Sequence, residues 1–295
     1  MDFGVWEVKV MQTIGLIANT QKSQAVKKLN QVCDWLEEHD CEFWLDEKTA
    51  ELVDRQVNYK FYNSLVDEVE VIIVFGGDGT FLKAARTFVT SNVPILGINL
   101  GQLGFLTDIE VDRLEEGLEK LIAGDYTIEE RMTLEGRIIR DGEVINRVIA
   151  INDLVVTKGP FSRIIKLATF VDDEYLATYP GDGLIVACPT GSTAYSLSAG
   201  GPIVNPKLNS LIITPICPHT LHSRSIIATK DEEIRVEIQA DHSDVMLTVD
   251  GQDSFSVKPS DTIKIKKSNL MTRLIKLNDY NFYQILRNRL QRSQF

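Results

Sequence analysis

The 295-residue sequence is notable first for what it lacks. No apolar run approaches the roughly 20 residues that a bilayer-crossing helix needs, and no basic amphipathic stretch offers a surface anchor, so no membrane partner is expected. Four cysteines occur, Cys33, Cys41, Cys188 and Cys217, with no C-x-x-C pair, and the N-terminus lacks the charged-then-apolar pattern of a signal peptide. The expectation is a reduced, cytoplasmic protein. Basic residues are outnumbered, 31 Lys and Arg against 42 Asp and Glu, for a formal charge of -11. That balance argues against nucleic acid, whose binders use cations to displace counterions. Internal repeats and low-complexity segments are missing too.

What remains, 44% hydrophobic and 25% charged residues, suffices for one large core or two medium ones, and two are expected. The first 125 residues alternate strand-like and helix-like segments, which predicts a Rossmann-like α/β domain with a parallel sheet. "TIGLIANT" reads as the first strand, and Val26, Leu29, Cys33 and Leu36 recur at helical spacing. A helical pattern from about Arg55 to Val66 leads into "VEVIIVF", whose β-branched run suits a central buried strand. Residues 126–269 change to short strands bounded by turn dipeptides such as Asp141-Gly142 and Asp250-Gly251, which predicts a mostly β, sandwich-like domain. The last helix carries an apolar stripe, Phe282, Ile285, Leu286 and Leu290, so residues 270–295 are expected to return to the first domain.

Two glycine loops carry the first chemical signal. After "VIIVF" come Gly76, Gly77, Asp78 and Gly79, then a helix expected to begin near Thr80. The end of a parallel strand and the unpaired amides of the next helix make a phosphate site, and glycines let phosphates approach without a Cβ. A carboxylate repels phosphate, so Asp78 suits a hydroxyl, as general base or orienting group. As a turn residue or helix cap it would need no ligand. No G-K-[ST] follows, and G-x-G-x-x-G is not matched. "GINLGQLGFLTDI" brings glycines 97, 101 and 104 to the same sheet edge.

Further on, "INDLVV" sets Asn152 and Asp153 side by side in an apolar strand, where they would need partners such as ribose hydroxyls, unless they form a plain turn. "GLIVACPTGSTAYSLSAGG" ends a strand in a cluster of hydroxyls and glycines around Tyr195, a stacking face for a base.

These blocks, "GGDGTFL", "GINLGQLGFLT", "NDLVV" and "DGLIVACPTGSTAYSLSAGGPI", resemble the signature blocks of the ATP-NAD kinases in order and spacing, with "PICPHTL", "VDGQ" and "FYQILRNRL" extending the likeness to the end of the chain. The resemblance implies phosphoryl transfer from ATP, or from polyphosphate, to the adenosine-ribose 2'-hydroxyl of NAD, giving NADP. Asp78 would then be the proton acceptor beside Gly76, Gly77 and Gly79. Asn152 and Asp153 would hold the dinucleotide. Asp182, Thr193, Ser196 and Ser198 would surround the adenine side, with Ala194 and Tyr195 at the base. Arg163 and Gln252 are further carry-overs. "TYPGDG" departs from many relatives in having no Lys or Arg just before Asp182.

A divalent cation, Mg2+, is expected on the donor phosphates with no assigned protein ligand, and Cys217, His219 and His222 are read as structural rather than as a zinc site. A homo-oligomer, dimer or tetramer, is the family expectation. The rivals are a lipid kinase or phosphofructokinase relative, which leaves the Tyr195 and Asn152 stretches unexplained, and a dinucleotide sensor without turnover.

Overall fold

The computed structural model describes residues 13–19, 23–53, 56–101, 104–160, 162–220, 222–278 and 281–292. The chain divides into two compact units: the described residues up to Glu130 together with those from Thr272 on, and Arg131–Met271.

The first unit is built on parallel strands. Thr262–Lys276, through its last residues, pairs with Ile95–Asn99, followed by Val71–Gly76, Thr13–Ala18, Glu42–Asp46 and Tyr59–Lys60. Val71–Gly76 lies between Thr13–Ala18 and Ile95–Asn99, and all six of its residues are buried, as its β-branched run requires. Helix Ser23–Glu38 buries Ala25, Leu29, Val32, Cys33 and Leu36, and helix Leu114–Ile122 buries Leu114, Leu118 and Leu121. Both stripes enter one core.

The returning segment is held by Asp108. This buried carboxylate accepts the N–H groups of Leu277 and Asn278 at 2.8 and 3.2 Å and pairs with Lys276 at 3.1 Å. The final helix, Phe282–Arg292, sets Phe282 against Phe105 with ring centroids 5.8 Å apart. Ile285 is buried, but Leu290 is exposed, so the expected apolar stripe docks through its first part only. The helix expected between Arg55 and Val66 is also corrected. Arg55 lies outside the described residues, and the rest forms the two-residue strand Tyr59–Lys60 and a 3₁₀ turn, Tyr62–Asp67. Backbone pairing with Leu45 and Asp46 claims the first part, and only Leu65 of the turn is buried.

The second unit is two antiparallel layers around one core. One layer contains Glu174–Gly181, Ile165–Val171, Ile234–Gln239 and Thr262–Lys276, with the hairpin Thr127–Arg140 and Glu143–Ala150. The other runs Ile226–Thr229, Ser210–Ile216, Gly183–Ala187, Asp153–Lys158, Val245–Val249, Asp253–Val257. Alternation decides which face each residue serves. Leu184 and Val186 enter the core between the layers, while Ile185 and Ala187 turn to the opposite face and pack with Val155, Ile212 and Val204. That second face carries the hydroxyl-rich segment.

Candidate functional site

In the first unit the helix after the glycines starts at Asp78, two residues earlier than expected, with Gly77 as its N-cap. Asp78 does not satisfy its own helix. Its Oδ2 accepts the N–H of Phe105 at 3.0 Å and its Oδ1 that of Leu106 at 3.1 Å. The carboxylate is therefore oriented by the second glycine loop, and Gly104 makes room for it: a Cβ there would lie 1.9 Å from Asp78 Oδ1.

That loop is braced in turn. Thr107 Oγ1 accepts the N–H of Gly104 at 2.9 Å and the amide of Asn99 at 3.1 Å. Gly76 allows close packing, because its Cβ would meet Thr80 at 2.5 Å, whereas a Cβ at Gly77 or Gly79 would meet nothing within 4 Å. Backbone is thus bare where a phosphate would arrive. A cavity of about 700 Å3 opens there, at the C-terminal ends of the parallel strands, lined by Asn19, Asp46, Lys48, Tyr62, Thr80 and Lys83 besides Gly77 and Gly79. Burial raises the pKa of Asp46, whose carboxylate is engaged by Thr49.

In the second unit, strand Asp153–Lys158 begins at Asp153, so Asn152 stands in the bend before the strand and not inside it. A single carboxylate holds that bend. Asp250 Oδ1 accepts the N–H groups of Asn152, Ile151 and Asp153 at 2.7, 3.1 and 3.1 Å, and Oδ2 also takes that of Ile151 at 3.0 Å. Three consecutive amides aimed at one anion form a backbone nest. The N–H of Asp250 donates back to the carbonyl of Asp153 at 3.0 Å.

Asn152, Asp153, Ala194 and Tyr195 line one cavity of about 350 Å3, together with Asp250, Gly251, Thr157 and Thr248. Asp153 is buried, and its pKa is pushed up to about 7 by burial and then by the charge of Asp250. Among the described residues Asn152 Oδ1 is buried without a hydrogen-bond partner, an acceptor waiting for a donor. Tyr195 is half-exposed, and its hydroxyl pKa is raised by burial and by Cys217, Asp182 and Asp153. Gly191 lets the Thr190–Thr193 turn press on the bend, since its Cβ would lie 2.2 Å from the carbonyl of Asn152.

Other candidates lie apart from this cavity lining. Ser196 is fully buried and hydrogen-bonds Thr214 at 3.0 Å. Ser198, Arg163 and Gln252 are exposed. Thr193 bonds the carbonyl of Thr190 at 3.4 Å. Asp182 pairs with Lys158 at 3.6 Å, so a cation reaches it from the neighbouring strand although none precedes it in sequence. Among the described residues no group of three or more His, Cys, Asp or Glu could hold a metal ion. No described helix is long and apolar enough to cross a membrane.

A strand-end glycine loop that presents a carboxylate, and a separate polar cavity with an aromatic face, describe a nucleotide-handling phosphotransferase class. Comparison with known proteins is more specific. The models of the ATP-NAD kinase N-terminal domain and C-terminal domain match residues 14–126 and 151–277. The chain is 46% identical over 284 residues to the NAD kinase of Natranaerobius thermophilus, covering 96% of this chain and 99% of that one. The chain belongs to the ATP-NAD kinase family. Two solved structures share the fold: yeast NADH kinase complexed with NADH, at TM-score 0.89 and 24% identity over 97% of this chain and 89% of that one, and an NAD kinase from Archaeoglobus fulgidus in complex with ATP, at 0.74 and 23% over 96% and 99%.

Proposed function

We propose how this chain carries out the reaction of its family, the ATP-dependent phosphorylation of NAD to NADP, with Asp78 as the base. The 2'-hydroxyl oxygen of the adenosine ribose attacks the terminal phosphorus of the donor, the bond to the bridging oxygen breaks, and ADP leaves as the hydroxyl proton passes to Asp78. The observation that supports this most is the orientation of Asp78 by the amides of Phe105 and Leu106, beside the open backbone of Gly77 and Gly79. One hydrogen bond to each oxygen fixes the carboxylate yet leaves each with acceptor capacity.

Asn152 and Asp153 hold the dinucleotide in this reading. Asp153 accepts from ribose hydroxyls, Asn152 Oδ1 takes a donor, and Ala194 and Tyr195 face the base, with Asp182, Thr193 and Ser198 around the adenine side, Arg163 toward the new phosphate and Gln252 as a further contact. Ser196, fully buried on Thr214, supports the segment without touching the ligand. The donor phosphates lie against Gly77 and Gly79, where Lys48 and Lys83 line the cavity, and Gly76 serves the packing of the turn on Thr80. A divalent cation suits the donor phosphates, but the described carboxylates do not gather into a protein site for one, so no step is assigned to it.

The free thiols Cys41, Cys188 and Cys217 are in keeping with a cytoplasmic location, and a homo-oligomer is proposed from the family expectation alone. The test is NADP formation from NAD, Mg2+ and either ATP or polyphosphate, followed with a dehydrogenase that accepts only NADP. Production with ATP is expected; NAD binding without NADP from either donor would leave a sensor.

A further inference from the structure

The "VDGQ" stretch holds a carboxylate whose part is larger than a turn. We propose that Asp250 is a positioning residue for the dinucleotide: by gathering the amides of Ile151, Asn152 and Asp153 it sets the bend that presents the Asn152 and Asp153 side chains to the ligand. The proposal rests on the reading that those two side chains hold NAD.

The turn alone does not require an aspartate carboxylate. Asp250 and Gly251 have φ of 52° and 64°, the left-handed pair of a tight hairpin between Val245–Val249 and Asp253–Val257. Asparagine fills the first such position equally well. What asparagine does not supply is two oxygens and a full charge for three converging N–H groups, and charge-assisted bonds of this kind are the stronger ones. The side chain reaches out of its own turn to a segment about a hundred residues earlier. It is itself buried.

The bend it fixes has little freedom elsewhere. Cys188 donates its N–H to the carbonyl of Asn152 at 2.9 Å and its thiol to that of Ile151 at 2.9 Å. With both carbonyls and all three amides engaged, the Asn152 and Asp153 side chains remain the polar groups of the bend that face the cavity.

The same carboxylate tunes its neighbour. Asp153 faces Asp250 from the hairpin and Tyr195 from the short helix Tyr195–Ser198, with the buried thiol of Cys188 at the end of the adjacent strand; Tyr195 is in turn acted on by Asp182 and Cys217. Removing the charge of Asp250 lowers the pKa of Asp153. Asp250→Asn should therefore have two effects: weaker NAD binding at all pH values where Asp153 is ionised, and an acid limb of binding displaced to lower pH.

The experiment is the dissociation constant of NAD for the full chain across pH, for the wild type, Asp250→Asn, Asn152→Ala and Asp153→Asn, with thermal unfolding of each. The expected result for Asp250→Asn is binding weakened about tenfold near pH 8, the equivalent of one lost charge-assisted hydrogen bond, with the acid limb moved down. Wild-type binding by Asp250→Asn at every pH, while Asn152→Ala binds weakly, would overturn the proposal and leave the parent reading intact. Unchanged binding in all three variants would overturn both. Should Asp250→Asn not fold, Asp250→Glu keeps the charge but displaces it from the amides. Weakened binding with an unmoved acid limb then supports the proposal, and unchanged binding overturns it.

Discussion

Asp78 and Asp250 each turn away from their own segment to accept backbone N–H groups from another loop, but they are held to different degrees. Asp78 is half-buried and receives one N–H per oxygen, from Phe105 and Leu106. Asp250 is buried and receives three consecutive N–H groups through four contacts. A carboxylate that must accept a proton needs free lone pairs and access; one that organises a bend needs neither. Acceptor saturation and burial thus separate two side chains that sequence alone presents alike, an aspartate before a glycine, in the sense of the two tasks proposed for them.

The strongest way to break this contrast is Asp78→Asn. The amide keeps the size of the side chain but turns an N–H donor toward one of the two loop amides and has no basic oxygen. Turnover should fall about 10³-fold, within the range for losing a general base, while the NAD dissociation constant changes less than about threefold. Asp250→Asn should show the reverse, weak binding with kcat at saturating NAD largely kept. Near-normal kcat in Asp78→Asn would make Asp78 a turn residue and end the distinction.

A smaller effect should come from the loop that aims Asp78. Gly104→Ala places a methyl group 1.9 Å from Asp78 Oδ1 and 2.5 Å from Oδ2, so the short side chain must leave its amides. Misplacing a catalytic group by about 1 Å can lower the rate by about 10², and kcat should drop by that order with the fold intact. Gly79→Ala serves as the counterpart. Its Cβ meets no protein atom within 4 Å, so any rise in KM for ATP reports a phosphate that needs bare backbone. If both variants turn over normally, the glycines serve packing alone.

The fold class was legible because periodicity follows burial. Val71–Gly76 is apolar throughout since both of its faces are covered, and the second half alternates because each layer gives one face to the shared core. Where period and burial part, the pattern misleads: the segment before Val66 carries a helical rhythm, yet pairing with Leu45 and Asp46 makes it strand and 3₁₀ turn, and Leu290 completes a stripe that the docked helix leaves in water. At the candidate site the residue types at Asp78, Asn152, Asp153 and Tyr195 were visible. The backbone donors of Phe105 and Leu106 were not, because amides carry no residue signature. Gly104, third in its loop, was the available hint. In the sequence Asp250 signals only a turn, since Asp-Gly satisfies hairpin geometry whether or not its carboxylate is used. Lys158 was hidden for another reason: it meets Asp182 across a strand pair, which spacing along the chain does not encode.

Asp153 sharpens the contrast in stability rather than rate, with the smallest effect. It is buried like Asp250 and lines the same cavity, and burial with the Asp250 charge raises its pKa to about 7 from 3.8. A raised folded-state pKa means that the native protein holds a proton the unfolded chain releases, so the stability contributed is present below the unfolded value and lost as pH rises through about 7. Asp153→Asn removes that penalty. The variant should melt at nearly the wild-type temperature near pH 4 and several degrees above it near pH 8. It should at the same time bind NAD less tightly, the trade expected of a charge kept buried for a ligand. A melting difference that does not vary with pH would mean that Asp153 carries no such strain, and its burial would then belong to packing and not to the site.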